Sequence, residues 1–375
     1  MTDTTIPKRL LPADGRFGSG PSKIRPEAVS ALAALGASFL GTSHRQAPVR
    51  DVVRRVREGI ASLLSLPEDY EVVLGNGGST AFFDIAAHCL VEHRSQHLCF
   101  GEFSSKFAAS VAAAPFLDAP VLLETEPGTH PAPEASAEVD AYALTHNETS
   151  TGVQMEVSRP RYKSGKLAEG LVLVDATSAA GGLRVDAGEL DAYYFAPQKC
   201  FGSEGGLYLA CLSPAAVERC ERIVASSRYV PAFLDLALAI ANSRKDQTYN
   251  TPSLSTLLLL ALQIEWFNDN GGLEFAASRC DASANIIYGW AERSDFARPF
   301  VQKPDERSHV VATIDFDEPV PAATVAAVLR QNGIVDTESY RKLGRNQLRI
   351  GLFPTVEPGD VEALTACIDY VVGQL

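Results

Sequence analysis

The stretch 191-DAYYFAPQKCFGSEGG-206 decides how this chain is read. Tyr193-Tyr194-Phe195 is an aromatic run of strand type, and Pro197 stops it. Gln198 and Lys199 follow, then a glycine-rich segment. A lysine at the mouth of a buried strand is out of place, because stripping water from an ammonium group is costly. The bland explanation is a side chain that reaches back to solvent. The flanking Pro-Gln and the glycines fit close packing around a ligand instead. A lysine desolvated in such a cleft has its pKa lowered and becomes a usable amine nucleophile.

Working outward, similar strands recur. Residues 70–75 (YEVVLG), 97–102 (HLCFGE), 140–148 (DAYALTHNE), 171–177 (LVLVDAT) and 206–213 (GLYLACLS) read as strands, several followed by helical patterns such as 79–92. Leu171 to Val174 is apolar at every position, the mark of a strand covered on both faces in a parallel sheet. The expected class is therefore α/β. The last third differs. A helix over about 253–268 leads to NDNGG at 268–272, then a helix, a strand at 309–316, a helix at 320–331, a strand at 346–353 and a final helix from 357. The expected division is a large domain over 1–268, whose first 15 or so residues form an arm, and a smaller α+β domain over 269–375.

Composition narrows the function. The 375 residues are 46% hydrophobic and carry a net charge of −13, which argues against nucleic acid or an anionic membrane surface as a partner. Seven cysteines without metal-type spacing point to reduced thiols and a cytoplasmic protein. The N-terminus has no apolar run of signal-peptide length, and the greasy segment Leu254 to Trp266 is too short to span a bilayer.

In open α/β sheets ligands sit beyond the carboxyl ends of the strands. GNGGST at 75–80 opens a helix there and could cradle a phosphate, with Ser79 and Thr80 adding hydroxyls. It matches neither a dinucleotide fingerprint nor a P-loop, and a plain strand-to-helix turn reads equally well. Asp175 closes LVLVD, and Lys199 stands 24 residues later. Alone, Asp175 would be read as a cap or turn residue. Together, a phosphate cradle, a strand-end aspartate and a strand-end lysine describe a pyridoxal phosphate site, with Phe103 available to stack on the ring. Arginines lie in two places: His44-Arg45, and Arg341, Lys342, Arg345 and Arg349. Arg349 sits in a strand-like apolar run, where its fork calls for a carboxylate. Two clusters point to a substrate with two anionic ends.

FGSGPSKIRPEAV (17–29), GTSHRQ (41–46), GEFSSKF (101–107), THNETSTG (145–152), VDATSAAGG (174–182), APQKCFGSEGG (196–206), YNTP (249–252) and LGRNQLRIGLFP (343–354) together resemble the phosphoserine aminotransferases. The resemblance implies a fold-type-I pyridoxal-phosphate enzyme with a mostly parallel seven-stranded sheet, and a homodimer with shared sites. The implied reaction passes an amino group from glutamate to 3-phosphohydroxypyruvate, in serine biosynthesis and, for some members, vitamin B6 biosynthesis. By motif, Lys199 carries the cofactor and shuttles the proton, Asp175 holds the ring nitrogen, Phe103 stacks, and Thr149 lies near the ring hydroxyl. Ser79, Thr80 and Gln198 meet the cofactor phosphate, joined by Asn250 and Thr251 of the partner. Arg349 grips the α-carboxylate. His44 and Arg45, with Arg341 from the other subunit, take the distal anion. The chain departs from the usual pattern at Thr80, Tyr340 and Phe103, where many members have arginine, histidine and tryptophan. The rival readings are a serine–pyruvate or alanine–glyoxylate aminotransferase, a cysteine desulfurase, and a non-catalytic protein of this fold.

Overall fold

The computed structural model describes residues 4–375. Its centre is a seven-stranded sheet built from β1 (Glu71–Gly77), β2 (Ser95–Cys99), β3 (Val121–Glu124), β4 (Ala141–Thr145), β5 (Leu171–Asp175), β6 (Ala192–Phe195) and β7 (Gly206–Leu212). The spatial order is β1-β7-β6-β5-β4-β2-β3. Strands β3, β2, β4, β5 and β6 run parallel, while β7 is antiparallel to both β6 and β1.

The apolar runs explain the layering. All five residues of β5 are buried. Val172 and Val174 point into one core and Leu171 and Leu173 into another, as the two-residue period of a strand requires. The first core is closed by α1 (Pro26–Phe39), α2 (Ala47–Leu63) and, later in the chain, α7 (Leu254–Asp269). The second is closed by α3 (Ser79–Cys89), α4 (Glu102–Ala112), α5 (Pro214–Val224) and α6 (Leu236–Ser243). Phe82 stacks on Tyr194 at 4.4 Å and Phe83 on Phe107 at 5.1 Å, which fixes α3 and α4 over β6. Each such buried ring or branched side chain contributes about 1.5–3 kcal/mol from removal of apolar surface from water. The sheet therefore places the ends of β4, β5 and β6 and the starts of α3 and α4 at one edge.

Beyond α7 the chain turns through Gly271, whose φ is 115°, into α8 (Gly272–Arg293). A three-stranded antiparallel sheet follows: β8 (Ala297–Pro299), β9 (Val311–Phe316) and β10 (Gln347–Gly351), with α9 (Ala322–Gln331) and α10 (Pro358–Val372). Its core includes Ile6 and Phe17. The first three residues of the expected N-terminal arm lie outside the described residues. From there on the segment runs along this C-terminal sheet: the Ile6 amide donates to Asn332 Oδ1 at 2.9 Å, and the Gly351 amide to Phe17 O at 2.7 Å. That path carries Ser19 and Gly20 back to the ends of β5 and β6.

Candidate active site

Asp175 is the last residue of β5, and Lys199 lies in the turn just after β6, its parallel neighbour. Register alone thus brings the two together. Both line a cavity of about 290 Å³, together with Gly78, Ser79 and Thr80 at the start of α3, Phe103 at the start of α4, Thr149, Thr177, Gln198 and the Gly20-Pro21 segment. Lys199 Nζ donates to Ser19 O at 2.7 Å. Gly20, at φ 127°, passes so close that a Cβ there would fall 2.2 Å from Nζ. Any other residue would push the amine out of place.

The electrostatics follow from burial. Loss of water, aided by the nearby Arg349 charge, lowers the Lys199 pKa to about 8. A tenth of the amines are then free at pH 7 and half near pH 8. Burial raises Asp175 to about 6, and Thr177 works against it. The Thr177 hydroxyl and its amide, the latter at 2.9 Å, both donate to Asp175 Oδ1. That leaves Oδ2 as the oxygen free to meet a cation.

The other walls hold groups that lack partners. Ser79 Oγ, Gln198 Oε1 and Asn147 Oδ1 are buried without hydrogen bonds. Helix α3 has Gly78 as its N-cap and no side-chain cap, so its first amides are free for an anion. An anion cradle, an unsatisfied set of polar atoms, a carboxylate and a partly neutral amine fit pyridoxal phosphate: its phosphate, ring nitrogen and aldehyde have matching groups.

A buried anchor that the motif reading passed over is Glu148. It is fully buried and accepts from the amides of Phe103 (3.0 Å), Ser104 (2.9 Å) and Ser150 (3.1 Å) and from the Ser150 hydroxyl (2.7 Å). A carboxylate at the N-terminus of α4 satisfies its dipole and fixes Phe103. Ser178 was likewise missed; it accepts from Thr149 Oγ1 at 2.8 Å and Asn147 Nδ2 at 2.9 Å. Thr177 had a sequence signal, a hydroxyl residue two places after a strand-end aspartate. Cys200 faces away from the cavity, with Sγ 3.2 Å from Ser178 O, and burial pushes its thiol up. It is no desulfurase nucleophile.

Arg349, on β10, is not in the lining of the cavity but contacts Thr149, which is. Its Nη1 donates to Thr149 O at 3.2 Å, and its Nε is buried without a partner. Four expected site residues lie elsewhere in the chain. His44 and Arg45 occupy the turn between α1 and α2, and Asn250 and Thr251 precede α7. His44 Nδ1 is 3.1 Å from Thr251 Oγ1, and Arg45 Nη1 donates to Gln247 Oε1 at 2.6 Å. This cluster is outside the lining of the Lys199 cavity. Arg341 is exposed on a single helical turn, Arg341–Leu343.

A family model described as aminotransferase class-V matches residues 17–337. The chain belongs to this family. Over its full length it is 60% identical to the phosphoserine aminotransferase of a Nocardioides species, covering all of that protein, and 56% identical to the phosphoserine aminotransferase of Rhodococcus jostii, again over both whole chains. Among solved structures, a phosphoserine aminotransferase from Cytophaga hutchinsonii superposes with a TM-score of 0.87 at 24% identity, over 96% of this chain and 99% of that one. That last likeness speaks to the fold, which is fold-type I. As a class-V aminotransferase, the chain uses pyridoxal phosphate, and the cavity whose lining fits that cofactor lies at the edge where β5 and β6 end.

Proposed function

We propose that this protein is a phosphoserine aminotransferase: it moves an amino group between L-glutamate and 3-phosphohydroxypyruvate, giving 2-oxoglutarate and O-phospho-L-serine. One observation carries the reading: a buried amine with pKa about 8 beside a strand-end carboxylate, close to the uncapped amides of α3 and the unpartnered Ser79 hydroxyl, in a chain 60% identical to a phosphoserine aminotransferase. Pyridoxal phosphate, when bound, supplies the electron sink for bond breaking at the substrate α-carbon. The chain's own residues do the rest. Lys199 holds the cofactor aldehyde and then moves the proton at the α-carbon. Asp175 Oδ2 pairs with the ring nitrogen, Phe103 lies on the ring face, and Thr149 meets the ring oxygen. Ser79, Thr80 and Gln198 bind the phosphate with the amides of α3. Arg349 takes the α-carboxylate through its fork.

The distal anion is met by a second copy. Asn250 and Thr251 are exposed, as are Tyr229 (78%), Phe233 and Tyr249 of the adjoining segment, too many rings for a solvent face. A homodimer covers them. Because His44 bonds Thr251, the pair His44-Arg45 travels with Asn250-Thr251 to the partner's cavity. Arg341 adjoins Tyr340, which packs on residues of its own chain, so it stays with its own Lys199. This exchanges the split that the resemblance implied. A mixed dimer tests it: Lys199→Ala and Arg45→Ala chains, each impaired, regain activity on co-refolding because one of the two sites is then intact. Failure to complement would mean that Arg45 serves the site of its own chain.

Two further outcomes follow. Glutamate alone bleaches the visible band of the lysine-bound cofactor, and phosphohydroxypyruvate restores it while unphosphorylated hydroxypyruvate does so poorly. Equal recovery from both acids would remove the phosphate assignment. Arg349→Gln loses a charge-assisted pair of about 1.5–3 kcal/mol, so KM for both substrates rises roughly 10- to 150-fold. The protein is expected to act in the cytoplasm; among its described residues no helix is long and apolar enough to cross a membrane.

A further inference from the structure

Arg349 is poorly held for a residue asked to grip a carboxylate. Among the described residues it forms no ion pair with an acidic side chain, and its one side-chain hydrogen bond is the 3.2 Å contact with Thr149 O. Nε is buried and unpartnered. A guanidinium with one weak anchor can rotate about its long stem, and each rotamer lost on binding substrate weakens affinity. One other contact constrains it. The guanidinium carbon lies 5.1 Å from the ring centroid of Tyr340, over its face. The same ring packs at 6.3 Å on Phe103, which Glu148 holds in place. The hydroxyl of Tyr340 makes no hydrogen bond among the described residues. Tyr340 itself is fixed by the turn that follows it, where Lys342 pairs with Glu102 at the head of α4.

We propose that Tyr340 is a positioning residue for substrate binding: its ring face, backed by Phe103, holds the Arg349 guanidinium in the orientation that receives the α-carboxylate. A cation over a ring face is attracted by the ring quadrupole, more strongly where water is excluded. The hydroxyl has no part in this. The inference rests on Arg349 as the carboxylate residue.

The experiment uses the cofactor-loaded enzyme and four variants: Tyr340→Ala, Tyr340→Phe, Arg349→Gln and Tyr340→Ala/Arg349→Gln. KM and kcat are measured for glutamate, and binding of the non-reacting dicarboxylate maleate by calorimetry. Tyr340→Ala is expected to raise KM and the maleate Kd roughly 5- to 30-fold, with kcat within about twofold. Tyr340→Phe should retain the parent values, since the ring face is kept. In the Arg349→Gln background Tyr340→Ala should add nothing, because the ring then has no guanidinium to hold. An unchanged maleate Kd in Tyr340→Ala overturns the proposal, as does an equal loss in Tyr340→Phe, which would assign the effect to the hydroxyl. Additive losses in the double variant overturn it too, since Tyr340 would then act independently of Arg349. If Arg349→Gln itself leaves KM and maleate binding unchanged, the carboxylate assignment fails first. Equal melting temperatures across the four proteins exclude unfolding as the cause.

Discussion

Lys199→Ala is expected to lower kcat by roughly 10³- to 10⁴-fold, the upper part of what a positioned proton-transfer group supplies. The reason is positional. The amine sits between Ser19 O and the cavity, and Gly20 leaves it no slack. No neighbour can replace it: Asp175 is tied to Thr177, and Arg349 does not deprotonate. The variant should fold, since it removes a buried cation and leaves both strand ends unchanged. It should also respond to added small primary amines. Truncation opens a space the size of the lost chain in a desolvated site, where an amine can take up the proton-transfer role. A second consequence concerns pH. Burial has lowered the Lys199 pKa to about 8, so the free-amine fraction of cofactor-free protein grows as pH rises through 8. The rate of pyridoxal phosphate capture should climb about tenfold from pH 6 to 7 and level off above 8, as read by the growth of the visible band. Lys199→Ala retaining a tenth of the parent kcat would sink this role, and a capture rate flat from pH 6 to 9 would sink the pKa assignment.

Much of this was legible in the chain, for identifiable reasons. The buried strands announced themselves through runs without polar residues, and β5 and β6 ended where Asp175 and Pro197 said they would. Lys199 was conspicuous because charge is rare at such positions. What stayed hidden was tertiary. The edge strand β3 is only four residues long, with alternate residues facing water, and carries too little periodicity to stand out. Glu148 looks like any polar residue in a loop, and only the fold places the first turn of α4 against its carboxylate. The N-terminal segment gave no sign that it would cross to the C-terminal sheet and return Ser19 to the lysine. Motif matching brought His44, Arg45, Asn250 and Thr251 into the site, yet spacing alone could not group them. The 3.1 Å contact between His44 and Thr251 does.

The second large effect separates activity from stability. Asp175→Asn should reduce kcat by on the order of 10²–10³-fold, because it removes a preorganised charge aimed at the ring nitrogen. The same change should make the cofactor-free protein more stable near neutral pH. The sign follows from the pKa. Asp175 titrates at about 6 when folded, above the 3.8 of an exposed aspartate. A raised folded pKa means that the native state favours the protonated carboxyl. Well below pH 3.8 the group is protonated in both states and costs nothing. As pH rises through 6 the folded chain must ionise a buried carboxyl, and the cost grows to about 3 kcal/mol, two pKa units at 1.36 kcal/mol each. Asparagine avoids that cost while its oxygen still accepts from the Thr177 amide and hydroxyl. Chemical denaturation of the two cofactor-free proteins should therefore give curves that coincide near pH 3 and diverge by about 2–3 kcal/mol at pH 7.5, the variant being the more stable. With pyridoxal phosphate present the order should reverse, since the parent carboxylate then has its cation and binding stabilises only the native state. Parent and variant of equal stability at both pH values would mean that Asp175 is already compensated in the empty site. The predicted divergence would show that the empty protein holds this carboxylate at a cost which only a cationic ring nitrogen relieves.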